Sequence, residues 1–367
     1  MRLAPTLAAA LFAVSAPALA DTPRVATDIA PVQSLVAQVM NGTDEMPALI
    51  VRPGASPHGY AMRPSEARAL EQADLVVWMG PGLTPWLTDA IGALSDEAAH
   101  LSLLTAQETL ILPGRIDPRF AAHGHDHDGH DHDGHGHDHG EDAHHNRADH
   151  DHAGGHDHDD HTQEHDDHDH DHDNHAHDHD DHDHGAAADH DHAHAGPDPH
   201  AWLDPDNAVI WLGLIADQLA ALDPDNADLY AANAKSAQAD LAALADEIET
   251  RLAPVSDRAF LVFHDAYQYF EARFGVTAAG AVSISDASDP GPARLADLRA
   301  LVEEREIVCI FAEPQFNTSV LASVFGDDIR IGELDPMGAT HDAGPGLYPA
   351  LIRDMAEAMV DCLAPQG

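Results

Sequence analysis

Residues 225–254 read DNADLYAANAKSAQADLAALADEIETRLAP. Apolar positions recur near every 3.6 residues, Asp223-Pro224 stands just before the run and Pro254 closes it. The spacing therefore predicts one helix of about 28 residues over Asp225–Leu252. On both sides of it, short β-branched runs alternate with amphipathic stretches. Upstream, the candidate strands are Arg24–Thr27, Ala48–Arg52, Leu75–Met79 and Leu101–Leu104; downstream they are Ala259–Phe263, Val276–Val282, Ile307–Ala312 and Ile329–Leu334. Helical patterns lie between them, at Val32–Met40, Pro64–Ala73 and Arg294–Glu304. Strand-helix alternation of this kind builds parallel sheets with crossover helices. The expected fold is α/β, two parallel-sheet lobes joined by the one long helix.

Composition narrows the function. The chain has 367 residues, 17 Lys+Arg against 65 Asp+Glu, 32 His and 2 Cys. A formal net charge of −48 repels phosphate backbones and speaks against nucleic acid as a partner. Two cysteines cannot build a disulfide-rich scaffold or a four-thiolate zinc cluster. Residues 1–20, MRLAPTLAAALFAVSAPALA, carry one Arg, a short apolar stretch and Ala18-Leu19-Ala20 before Asp21, the pattern of a secretory signal cleaved after Ala20. Export to an oxidising compartment is the expectation.

The histidines are unevenly spread. Those at 58, 100, 200, 264 and 341 stand alone, and the other 27 fall between His123 and His194, alternating with aspartate. That tract has no large apolar residue and a net charge of −23, so it is expected to be disordered without metal. The remainder still carries −25, a sign that attracts a divalent cation. The expected divisions are a leader at 1–20, an N-terminal lobe at 21–222 containing the 123–194 insert, a linking helix at 223–254 and a C-terminal lobe at 255–367.

Ligands of open α/β sheets bind outside the carboxyl ends of the strands. Just past candidate strand ends stand His58, His264 with Asp265, Glu313 and Asp335, while His200 follows the insert in PDPHAWLDP. A lone histidine is more often a surface or hydrogen-bonded core residue than a ligand. Three of them meeting in one cleft would suit Zn2+, with a coordination position left open.

The stretches GASPHGYAMRPSEARALEQADLVVWMGPGL (54–83), PDPHAWLDP (197–205), FLVFHDAYQYFEARFG (260–275), CIFAEPQF (309–316) and ELDPMGA (333–339) together resemble the ZnuA family, the zinc-binding periplasmic components of bacterial ABC importers. The resemblance frames almost the whole chain downstream of the leader, the histidine-rich insert included. It implies a metal site in the cleft between the lobes, His58, His200 and His264 as ligands of a transported Zn2+, and delivery to an inner-membrane ABC permease by a monomer. Some zinc-binding members place a glutamate before the first ligand; here Pro57 stands there and cannot coordinate. The fourth position is then a water or Asp335. Glu313 is left with two readings, an acceptor for a histidine N–H or a salt-bridge or helix-start carboxylate. Cys309 and Cys362 match the family pattern, and in an exported protein they are expected to be bridged.

His156, His158, Asp160 and His161 spell H-x-H-x-D-H, and 177–182 repeats it, but a period-two His/Asp tract produces such matches by chance. The chain has no H-E-x-x-H, no G-x-S-x-G and no Walker loop, which speaks against an enzyme of those classes. The alternatives are a Mn2+ or Fe2+ binding protein of the same fold, a periplasmic metal buffer acting through the insert, and a zinc hydrolase using Asp335 or Glu313 as base. Histidine rather than a carboxylate at position 264 disfavours Mn2+ relative to Zn2+.

Overall fold

The first sheet has four parallel strands in the order β2-β1-β3-β4: β1 (Val25–Thr27), β2 (Ala48–Leu49), β3 (Leu75–Trp78) and β4 (Ala99–Ser102). Its crossovers are α1 (Ala30–Val39), α2 (Pro64–Glu71) and α3 (Pro85–Leu94). Each has a proline in its first turn, where a missing N–H costs nothing. The fourth strand lies two residues before its predicted place: Ala99 pairs with Leu75, and Leu103–Thr105 tighten into a 3-10 turn over the buried Leu103. This computed structural model describes residues 22–120, 196–283, 291–315, 319–326 and 329–365. The expected leader, the 123–194 insert and both H-x-H-x-D-H matches lie outside the described residues.

Two consecutive helices follow the first sheet. α4 (Pro205–Leu222) starts at the N-cap Asp204, whose side chain accepts from the N–H of Asp206 at 2.9 Å. Pro224–Asn226 then form a 3-10 turn, so α5 spans Ala227–Leu252, 26 residues, rather than starting at 225. Asp223 fastens that turn, accepting from Asn226 Nδ2 at 2.7 Å and the Tyr230 hydroxyl at 2.8 Å.

The second sheet is again parallel, in the order β6-β5-β7-β8: β5 (Phe260–Val262), β6 (Ala278–Ala281), β7 (Cys309–Ala312) and β8 (Arg330–Glu333). α6 (Gln268–Phe274), α7 (Pro292–Arg305) and α8 (Ser319–Phe325) connect its strands, and α9 (Leu347–Leu363) follows. Cys309 and Cys362 are bridged, tying β7 to α9 with Cα atoms 5.9 Å apart. Closing a loop of this length contributes about 4 kcal/mol in the chain-entropy view.

One continuous apolar cluster runs through both lobes. It takes Val25 and Leu75 from the first sheet, Leu35 from α1, Trp211 from α4, Leu244 from α5, Phe260 and Phe311 from the second sheet, and Met355 from α9. Polar bonds cross the same seam: the Tyr348 N–H donates to Ser34 Oγ at 3.0 Å, the Tyr348 hydroxyl to the Trp202 carbonyl at 2.7 Å, and Trp202 Nε1 to the Pro336 carbonyl at 2.7 Å. Between β4 and α4 the chain also reaches across. The Leu112 N–H donates to the Tyr269 hydroxyl at 2.9 Å and the Ala281 N–H to the Arg119 carbonyl at 2.9 Å. The two flanks of the insert bond to each other there, Gly114 N–H to the Gly196 carbonyl and Asp198 N–H to the Leu112 carbonyl, both 2.9 Å.

Candidate metal centre

Parallel sheets aim the carboxyl ends of all their strands the same way, so residues just past those ends converge. In the second sheet the register decides who meets whom. Val262 of β5 pairs with Phe311 of β7, and two residues further on His264 comes opposite Glu313. The contact follows: His264 Nδ1 bonds Glu313 Oε1, and Glu313 Oε2 accepts from Gln315 Nε2 at 2.7 Å. Glu313 is 1 % exposed and His264 7 %, so this carboxylate has left water to hold the imidazole. Of its two expected readings, it takes the first.

His200 stands between the insert's flank and α4, 6 % exposed. Asp198 Oδ1 lies 2.7 Å from its Nδ1 and accepts its backbone N–H at 3.0 Å. A carboxylate at Nδ1 selects the tautomer with the proton there and leaves the lone pair on Nε2, the form in which imidazole binds a metal. His58, half-buried, comes from the irregular segment after β2.

The three rings converge. His58 and His200 have centroids 5.6 Å apart and His200 and His264 5.5 Å, both edge to face. Two imidazoles bound to one zinc through bonds of about 2.0–2.1 Å at tetrahedral angles would have centroids about 5.2 Å apart. The observed spacing is a few tenths of an ångström wider. Among the described residues no group of three His, Cys, Asp or Glu side chains stands at full coordinating geometry.

The rings share a cavity of about 20 Å3 lined also by Pro57, Trp202, Glu313, Gln315 and Met337. That is room for roughly one or two waters, enough for an ion. Asp335 is not among its lining residues. Its carboxylate caps its own turn, accepting from the N–H of Met337 at 3.1 Å and of Thr340 at 3.2 Å.

Behind the histidines lies a buried ionic cluster. Arg115, on the insert's upstream flank, makes a two-pronged bond to Glu271 (2.7 and 3.2 Å) and reaches Asp265 at 3.1 Å. Burial pushes the Asp265 carboxyl up to about 7 despite this guanidinium. Burial pulls Arg115 down, but the Glu271 and Asp265 charges outweigh it and leave Arg115 raised. Tyr267 is raised well above its usual range by burial first and the nearby Glu313 charge second. Sequence reasoning missed Asp198 and Arg115 as supports. The first had a usable signal in its place two residues before His200; the second depends on a crossing between lobes and had none.

The comparisons with known proteins agree with one another. A profile of the family described as zinc-uptake complex component A, periplasmic, matches residues 25–362. A relative in Paracoccus denitrificans, the high-affinity zinc uptake system protein ZnuA, is 42% identical over 359 residues, 97% of each chain. Among solved structures, the periplasmic zinc-binding protein TroA from Treponema pallidum matches with a TM-score of 0.66 at 19% identity, over 94% of this chain and 100% of its own. A zinc-bound ZnuA deletion mutant gives 0.64 at 20% identity, over 95% and 100%. At these identities the two structures speak for the fold.

Proposed function

The chain belongs to the ZnuA family of periplasmic zinc-uptake components, and from that membership we propose that it captures Zn2+ through His58, His200 and His264 and delivers it to an inner-membrane ABC permease. Like its family it is a binding protein and not an enzyme. Among the described residues no helix is long and apolar enough to cross a membrane. In this reading the exported protein works in the periplasm as a monomer.

The observation that carries the ligand assignment is the convergence of three histidine rings at 5.5–5.6 Å in one cavity, two of them backed by buried carboxylates. Neutral imidazole suits zinc, and a set without a carboxylate disfavours Mn2+. We assign the fourth position to a water rather than to Asp335, which does not line the cavity and whose oxygens accept from its own turn. Capture is favoured because the two carboxylates hold the right tautomer in advance. Release then requires the permease to disturb at least one ring, and His58, on the half-buried segment, is the accessible one.

Zinc calorimetry on three forms tests this: the chain without its leader, the same chain lacking 123–194, and that deletion with His264→Ala. One tight site should survive the deletion and vanish with His264. Loss of all tight binding on removing 123–194 would make the protein a metal buffer and the cleft assignment wrong.

A further inference from the structure

Two of the three histidines are set by carboxylates, whereas His58 sits on a stretch with neither strand nor helix between Ile50 and Arg63. How that stretch is held decides where His58 can be. Trp86 is the second residue of α3, so its ring is mounted on a rigid element. Its Nε1 donates to the carbonyl of Pro57 at 2.8 Å. The His58 N–H, on the other edge of the same peptide unit, donates to Ser56 Oγ at 3.3 Å. A peptide unit is planar, so holding its oxygen and its N–H fixes the plane that carries the Cα of His58. The proline ring locks the torsion just before it.

The far side of His58 is held as well. The Tyr60 ring lies 5.7 Å from that of Trp86, and its hydroxyl accepts from Arg52 Nε at 2.7 Å and donates to Glu66 Oε1 at 2.9 Å. Glu66, 8 % exposed, also accepts the Arg63 N–H at 2.7 Å. The segment is thus fastened on both sides of the histidine, with Trp86 touching both fastenings.

We propose that Trp86 is a positioning residue for zinc capture, its indole N–H fixing the 57–58 peptide so that His58 is presented to the metal already in place. This rests on His58 being a ligand, as argued above. Without the indole N–H, the peptide must be ordered when the metal arrives, and that entropy is subtracted from affinity.

The test is zinc affinity by competition with a tight chelator on the full chain without its leader, for the parent, Trp86→Phe, His58→Ala and the double variant. Phenylalanine keeps one ring against Tyr60 and removes the donor, together with part of the indole's bulk. Trp86→Phe should weaken zinc binding about fivefold, the value of one ordinary hydrogen bond, with the zinc-free melting curve close to the parent's. In the His58→Ala background the same change should have no further effect, because there is no ligand left to position. Ser56→Ala, which releases the other edge of the peptide, should behave alike. An unchanged affinity in Trp86→Phe, or an equal loss in the absence of His58, would overturn the positioning role. Full affinity in His58→Ala would instead remove the ligand assignment, and the role with it.

Discussion

Glu313 and Asp198 do the same work from different sides. Each places a buried carboxylate on the Nδ1 of one histidine, and each histidine comes from a different part of the chain. Outer partners of this kind raise the basicity of the ring and hold its orientation, and their loss commonly costs 10–100-fold in metal affinity. Glu313→Ala should therefore weaken zinc binding by at least about tenfold, measured by chelator competition, while Glu333→Ala, an exposed carboxylate on the neighbouring strand, should leave it unchanged. His264 and Glu313 were both legible as strand-end residues, and their pairing follows from the register of β5 against β7. Trp86 was not legible, because nothing local to α3 says that its indole faces the carbonyl of a residue 29 positions earlier.

Among the elements, Asp28 joins three at once. It follows β1, accepts the N–H of Ile29 at the entrance to α1 and that of Met79 at the end of β3, both at 2.8 Å. Burial raises its carboxyl to about 7, against the downward pull of these N–H donors and of Thr84. In the unfolded chain the same group ionises near 4. The folded protein therefore keeps a proton that the unfolded chain has released, and stability falls as pH rises from about 4 to about 7, by an amount on the order of 4 kcal/mol at full effect. Melting temperatures of the zinc-free protein should decline across that range, and Asp28→Asn should flatten the decline while lowering stability at acid pH, since an amide replaces one accepting oxygen. At this scale both sheets and α5 were legible from period and boundary residues, and the cysteine bridge from the family pattern and the expected export. The pairing of α4 with α5 was not. That two consecutive helices would share the seam between the lobes depends on which faces they bury, and much of α4 is apolar.

For the molecule as a whole, charge is the long-range property. A net charge of −48 draws divalent cations from a distance, and the 123–194 insert holds nearly half of it. Zinc association followed by stopped flow should slow by about tenfold between low and physiological ionic strength, as the screening length drops from about 30 to about 8 Å. A chain lacking 123–194 should show a shallower dependence. That both lobes draw on one apolar cluster has a consequence of a different kind, in time rather than space. During export His58 emerges well before α9, whose Tyr348, Leu351 and Met355 complete the packing. Until the apolar cluster closes over that last helix, the wall that His264, Glu313 and Pro336 give the cavity is not yet packed in place, and on the ligand assignment proposed above an ion that meets an early histidine can leave again. The order in which the chain is made thus delays loading until the carrier is whole.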